Sequence, residues 1–316
     1  MALSLTLNDY TDEQRTELLV RSLYDAKTAA MLNSAGQVIP GVKSAIQLPI
    51  LESTIYLQDD GCGNTTSGTT AMSHRDITVG KAKIFEDICP VTLETKFTQI
   101  GLSAGHPEDL GVFEVQIGNE KAAAIADTIE QKIWTGDADN AGEWDGFLTI
   151  LGDLGFGGAG DPIEGNPTTG GGWTQLTSLT SSNIDEAIEK IYSLIPARVL
   201  NKRDSVLWMG EDSFRLALLN LKAANLFHYS PEAGNNMEMI WPGTNLKLVA
   251  VAGLNGTNKM VAGRMSNFFL ATDMMNEEEQ FKFWYSQDLD VVKFKCTFKY
   301  GCQIAFPAEV VYFKLP

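Results

Sequence analysis

The sequence predicts an α+β fold, and three observations carry that prediction. Ile125, Ile129 and Ile133, with Ala122 and Ala126 beside them, recur at helical spacing and make one apolar stripe. Near the C-terminus, Val292, Phe294, Cys296, Phe298, Tyr300, Cys302, Ile304 and Phe306 hold one parity while Lys293, Lys295, Thr297, Lys299 and Gln303 hold the other, the period of a long strand. Between these two, helical and strand-like stretches follow one another without the regular alternation that builds a doubly wound parallel sheet.

With 316 residues, 44% hydrophobic and 20% charged, the chain can bury one large core or two ordinary ones, because single cores stop growing at about 250–300 residues. Its 29 Gly and 11 Pro are too few and too unevenly placed for a fibrous or low-complexity protein. No run approaches the roughly 18–20 apolar residues that span a bilayer, and the first eight residues lack a basic segment ahead of an apolar block, so synthesis in the cytosol is expected. Lys and Arg number 24 against 40 Asp and Glu, a formal charge of −16. That balance opposes attachment to a polyanion, which runs on counterions released around cationic side chains, and argues against a dedicated nucleic-acid binder.

Taken in order, Thr11 and Gln14 form a capping box before Leu19, Leu23, Ala26 and Ala30, which predicts a first helix ending near Asn33-Ser34-Ala35-Gly36. From residue 42 to residue 79 the texture turns extended, out through Ile46, Leu48, Ile55 and Leu57, over a polar tip at 59–70, and back through Ile77 and Val79. Two arms of roughly 15 residues would reach some 50 Å. A ribbon so long and so poor in large apolar residues cannot form its own core, so it is expected to lie on a neighbouring subunit; a ribbon folded onto its own domain, or a disordered loop, is the other reading. Strand character continues through Ala82, Ile84, Ile88 and Val91. The striped helix is predicted over 115–135, stopped by Gly136-Asp137.

Residues 152–172 are rich in Gly, Pro and Thr and predict an irregular connection and a boundary. Asn183 then caps a second helix with Glu186 in the reciprocal position, along Ile184, Ile188, Ile191 and Ile195 to Pro196. A strand at 205–209, a helix with Phe214, Ala217, Leu218 and Leu221, and short strands at 246–251, 259–262, 268–271 and 281–285 follow. Gly301 interrupts the final long strand and predicts a bend or bulge. The strand's alternate face is expected to be wet. No repeat of 20–50 residues is present.

The sequence holds no concentrated catalytic constellation, and no catalytic, cofactor-binding or metal-binding residue is assigned. Gly155-Phe156-Gly157-Gly158-Ala159-Gly160 matches GxGxxG, but Asp161-Pro162 and Gly165-Asn166-Pro167 forbid the helix whose amides would hold a pyrophosphate. His74, His106 and His228 are scattered. There is no GxSxG elbow, and Ser213 sits in a first helical turn, where capping or solvation accounts for it. Glu277-Glu278-Glu279 reads as a hydrated turn. Cys62, Cys89, Cys296 and Cys302 form no CxxC pair, so reduced, mostly buried thiols are expected, and burial explains Cys296 and Cys302 without a redox role. Asn64-Thr65-Thr66 and Asn255-Gly256-Thr257 are sequons without a secretory signal. What remains is architectural, a chain expected to work by assembling.

In element order, across nearly the whole chain, the sequence resembles the major capsid proteins of tailed bacteriophages, the Hong Kong 97-like fold. The resemblance is carried by Ile129 through Asp137 with Asp145-Gly146-Phe147-Leu148, similar to the junction from spine helix to a glycine-bearing turn. It is carried further by the helix, strand and helix between Ile184 and Leu221, by Asn245 to Val251, and by Pro307-Ala308 close to the C-terminus. It implies an N-terminal arm over 1–40, an extended β-ribbon loop over 41–80, a peripheral domain with the spine helix over 81–150, an axial domain over 151–288, and peripheral return strands over 289–316. The function implied is that of a subunit that self-assembles through pentamers and hexamers into the icosahedral head of a double-stranded DNA phage. The DNA would be enclosed without specific binding. The place implied is the virion, with host cytoplasm during assembly. Scaffolding, portal and decoration proteins are the further partners implied, with no cofactor, no membrane and no enzymatic activity. No long coiled-coil leader is present, so scaffolding would come from a separate protein. No motif assigns Lys43, Lys81 or any asparagine to intersubunit crosslinking. The alternatives are an encapsulin-like nanocompartment shell and, from another class, a soluble enzyme or carbohydrate-binding module.

Overall fold

The structure, a computed structural model, describes residues 26–59, 67–89, 110–158, 160–168, 174–200, 202–224, 237–273, 282–286, 288–289 and 291–316. In chain order these form helix α1 (Lys27–Ser34) and strands β1 (Val38–Pro40), β2 (Ala45–Thr54), β3 (Thr69–Thr78) and β4 (Gly80–Ile88). Helices α2 (Leu110–Thr135) and α3 (Phe147–Leu154), strand β5 (Ile163–Glu164), helices α4 (Ile184–Leu194) and α5 (Ala197–Leu200), strand β6 (Ser205–Gly210) and helix α6 (Glu211–Ala223) follow. The remainder is strands β7 (Glu238–Ile240), β8 (Lys247–Val251), β9 (Met260–Arg264), β10 (Phe268–Thr272), β11 (Lys282–Ser286), β12 (Val291–Ile304) and β13 (Val311–Phe313).

The alternation read near the C-terminus becomes β12, the spine of a five-stranded sheet. Antiparallel β4 pairs along one edge, from Val292↔Ile88 to Tyr300↔Gly80. On the other edge β11 pairs with the first residues of β12 and β10 with the last, and β1 joins β10 in parallel. A second sheet runs β5-β13-β9-β6-β8-β7, mixing parallel and antiparallel neighbours. The ribbon β2-β3 is a separate two-stranded sheet.

Period-2 geometry lets the second sheet serve two cores. In β6, buried along its whole length, Val206 and Trp208 face the cluster that contains Ile125, Ile129, Ile133 and Trp134 of α2. Leu207 and Met209 face a different cluster, with Ile184, Ile188 and Ile191 of α4 and Phe214 and Ala217 of α6. Val249 and Val251 against Leu248 and Ala250 in β8 repeat the division. This is why β6 reads as an unbroken apolar run, since a strand covered on both sides has no polar parity to keep.

The long helix is locked to the start of the described chain by a buried carboxylate. Ala26 has no side chain to cap α1, and Glu130 of α2 does it instead: Thr28 donates its backbone N–H (3.0 Å) and its hydroxyl to that carboxylate. Trp134 Nε1 donates in turn to the Thr28 hydroxyl oxygen (2.9 Å). Burial pushes the Glu130 carboxyl above its ordinary range, against the pull of these donors and of the nearby Lys27 ammonium.

Several expectations are corrected. The ribbon's paired arms are ten residues each, Ala45↔Thr78 to Thr54↔Thr69, which at about 3.3 Å per residue is roughly 33 Å and not 50 Å. Gly301 makes no bulge, because β12 pairs through it in unbroken register with Ala271. A side chain there would collide with the Thr78 carbonyl oxygen, so glycine serves a close backbone approach. The alternate face of β12 is half-buried and not wet: the ribbon root approaches it, and Lys299 is ion-paired with the buried carboxylate of Asp273. Within 152–172 the chain forms β5, whose two residues pair in parallel with β13. Asn183 stands at the N-cap of α4 but turns its side chain away, taking the Thr180 N–H (2.7 Å) and donating to the Ser178 carbonyl (2.8 Å). Helix resumes after Pro196 as α5, with Pro196 accepting the Val199 and Leu200 amides. The capping box at Thr11 and Gln14, Val91 and most of the ribbon tip lie outside the described residues.

Candidate assembly surface

Among the described residues, the large apolar side chains that stand furthest into solvent are on the ribbon. Its root is anchored: Leu48 and Ile77 are buried with Val42, Val79 and Ala271, and Ile46 packs beside them. Backbone bonds pin it there, Val79 N–H to Ser44 O at 2.8 Å and Val42 N–H to Thr272 O at 3.1 Å. The Gln303 amide donates to the Asp76 carbonyl at 2.7 Å. Ile46, Leu48 and Ile50 share one parity, and Leu48 and Ile50 are buried.

Beyond Ile50 the apolar parity changes. Leu51 stands directly opposite Met72 on the other face of the ribbon, and the two are 66% and 76% exposed. Ile55 at 81% and Leu57 at 99% continue the Leu51 parity past the paired segment, with exposed Tyr56 between them. The inner half of the ribbon thus turns its apolar parity to the body, while the outer half carries its apolar residues on the opposite face, in solvent. This parity switch is the signal in the sequence that names Leu51, Met72, Ile55 and Leu57 as candidates, a signal that periodicity read over the ribbon as a whole passes over.

The residues examined for chemistry fall elsewhere. His74 is exposed on β3, opposite Pro49; His106, His228, Cys62 and Glu277-Glu278-Glu279 lie outside the described residues. Gly155, Gly157 and Gly160 all have positive φ in turns, and the segment before them is helix α3, so both flanks of a dinucleotide loop are wrong. Ser213 is buried and neither caps nor meets solvent. The start of α6 is served by Asn255, whose Oδ1 accepts the Glu211 N–H at 2.7 Å, while Asp212 takes the amides of Ser213 (2.7 Å) and Gly256 (2.9 Å). Cys296 and Cys302 are buried free thiols; burial pushes Cys296 up to about 12 and Cys302 higher still. Among the described residues no group of three or more His, Cys, Asp or Glu converges as a metal site requires, and no helix is long and apolar enough to cross a membrane.

The fold as a whole, long helix, two sheets and ribbon, matches several solved structures over most of the chain. The procapsid of satellite phage P4 matches with a TM-score of 0.60 at 12% identity, over 95% of this chain and 90% of that one. The fold is that of phage capsid proteins. A structure from Gordonia phage Cozz matches with a TM-score of 0.56 at 13% identity, over 90% of this chain and 86% of that one. The capsid of an empty GTA particle does so at 0.54 and 11%, over 90% and 89%. No protein-family model and no curated sequence matches the chain. At such identities the capsid fold is shared through its packing and not through residues that alignment can trace.

Proposed function

We propose that this chain is the major capsid protein of a tailed double-stranded DNA phage. In this reading it has the Hong Kong 97-like division into arm (1–40), extended loop (41–80), peripheral domain with spine helix (81–150 and 289–316) and axial domain (151–288). Copies assemble through pentamers and hexamers into an icosahedral head. One observation carries the reading: on a chain with a capsid fold, the ribbon's outer half holds Leu51, Met72, Ile55 and Leu57 out in solvent. Apolar side chains on a limb that its own body leaves uncovered are satisfied when each copy lays the limb on the next, and head-to-tail contacts of that kind build closed shells when their rotation closes. The net charge of −16 suits a wall that does not grip packaged DNA. Scaffolding, portal and decoration proteins are the partners that this role brings with it.

Electron microscopy of the expressed, purified protein tests this directly, and closed shells are expected. Double-stranded DNA inside particles from their natural source supports the phage head. A co-purifying enzyme inside a smaller, uniform shell would replace it with a nanocompartment. A monomer at all concentrations, melting higher in the presence of a small ligand, would overturn assembly altogether.

A further inference from the structure

The ribbon's inner face and the body beneath it enclose a cleft of about 820 Å³, within the roughly 300–1,000 Å³ of ligand-sized sites. Ile50 and Arg75 line it from the ribbon, and Arg198, Phe306, Pro307 and Glu309 line it from the body. Its charges are not equally satisfied. Arg198 Nε lies 3.2 Å from Glu309 Oε1, so that pair is spoken for. Arg75 is half-buried, and its guanidinium has no ion-pair or hydrogen-bond partner among the described residues. Burial lowers its pKa, and among the described residues no carboxylate opposes the shift. Glu52, the other acidic residue of the lining, belongs to the register pair Glu52↔Ala71, four positions along the ribbon from Leu48↔Arg75. A guanidinium presents a rigid planar fork matched to a carboxylate, and taking it partly out of water without that partner is unfavourable.

We propose that this cleft receives an acidic segment of a second copy of this chain, whose carboxylate pairs with the Arg75 guanidinium while an adjacent apolar side chain lies on Ile50 and Phe306. The inference rests on the assembling role proposed above and names where one contact of that assembly is made. Charge complementarity selects the occupant. The chain carries 40 acidic against 24 basic residues, so a second copy offers carboxylates in excess. A nucleic-acid strand would meet Glu52 and Glu309 on the way in. The contact is distinct from the apolar outer face of the ribbon, so each ribbon would be held on both faces once assembled, with the charged pair setting orientation more than strength.

Hydrogen exchange on assembled shells and on unassembled subunits of the wild-type chain is the test, followed at Ser73–Arg75 and Phe306–Glu309. Assembly should slow exchange at both segments by about tenfold or more, as expected for amides closed off from water. Arg75→Glu should fold, with the wild-type circular dichroism spectrum, yet need about tenfold more subunit for half-assembly, whereas Arg75→Lys should lie between the two. Shells whose two segments exchange as fast as in free subunits, or Arg75→Glu assembling like wild type, would overturn the cleft contact while leaving the assembling role intact. Slowing that appears only when a different protein is added would replace self-docking with that partner. Wild-type protein that never forms shells would instead defeat the assembling role, and the cleft contact with it.

Discussion

Replacing Leu51 and Met72 together by serine should separate the folding of the subunit from its association. The two side chains face each other across the ribbon at 66% and 76% exposure, so the free subunit has little burial of theirs to lose, and its stability should move by no more than about 0.5 kcal/mol. A neighbour that covers them gains much more. Full burial of a side chain of this size is worth about 1.5–3 kcal/mol, and scaling by the exposed fractions gives roughly 2–4 kcal/mol for the pair. That corresponds to a weakening of each contact by about 30- to 1,000-fold. Sedimentation velocity over a concentration series reads the shift in the half-assembly point, and thermal melting of the unassembled subunit reads the fold. An unchanged half-assembly point would refute the assignment of this face to a subunit contact. So would a melting loss as large as the assembly loss, since that would put the pair in the subunit's own core.

Three further outcomes are expected. Gly301→Val, whose new side chain would run into the Thr78 carbonyl, should cost the unassembled subunit about 1–3 kcal/mol as overpacking does, seen as a lower urea midpoint; a midpoint equal to wild type would show that the ribbon root is not held against β12. Glu130 has a raised carboxyl pKa in the folded chain, so its folded form holds the proton more tightly than its unfolded form. The associated stability is fully present below the unfolded value and is lost as pH rises through the folded one. Glu130→Gln should therefore flatten the fall in urea midpoint between acidic and neutral pH, and parallel curves for the two proteins would contradict the burial. With Cys296 pushed up to about 12 and Cys302 also raised, peptide mapping after alkylation at pH 8 should find both unmodified in folded subunits and modified in urea. Labelling at equal rates in the two conditions would show that β12 opens.

Much of the fold is legible locally. The strict alternation from Val292 to Ile304 names β12 and its buried parity, and the spacing of Ile125, Ile129 and Ile133 names the face of α2 that is buried. Ser205 to Met209 reads as a strand because it is apolar on both parities, and the two cores explain why it has to be. Local signals misled where a distant segment supplied the reason. Gly301 looks like a bulge until Thr78 is brought against it, and Asn183 looks like a cap until Ser178 and Thr180 compete for its amide. Ser213 looks solvated until α6 is packed onto its sheet. Of the candidate surface, the out-and-back ribbon with its polar tip was legible in the sequence, while the particular exposed residues, Leu51 and Met72 among them, were not assigned.

By itself, then, the amino-acid sequence determined which segments are helix or strand and which of their faces shun water, because both follow from side-chain period over a few residues. Tertiary structure alone decided that Val38 pairs with Leu270, that Val311 crosses to the sheet of β9, and that Glu130 caps α1 from another helix. It likewise decided that, among the described residues, the Arg75 guanidinium lines a cleft with no carboxylate paired to it. These depend on which surfaces meet once several elements are packed together, and no pattern within a single segment encodes the identity of the surface that it will meet.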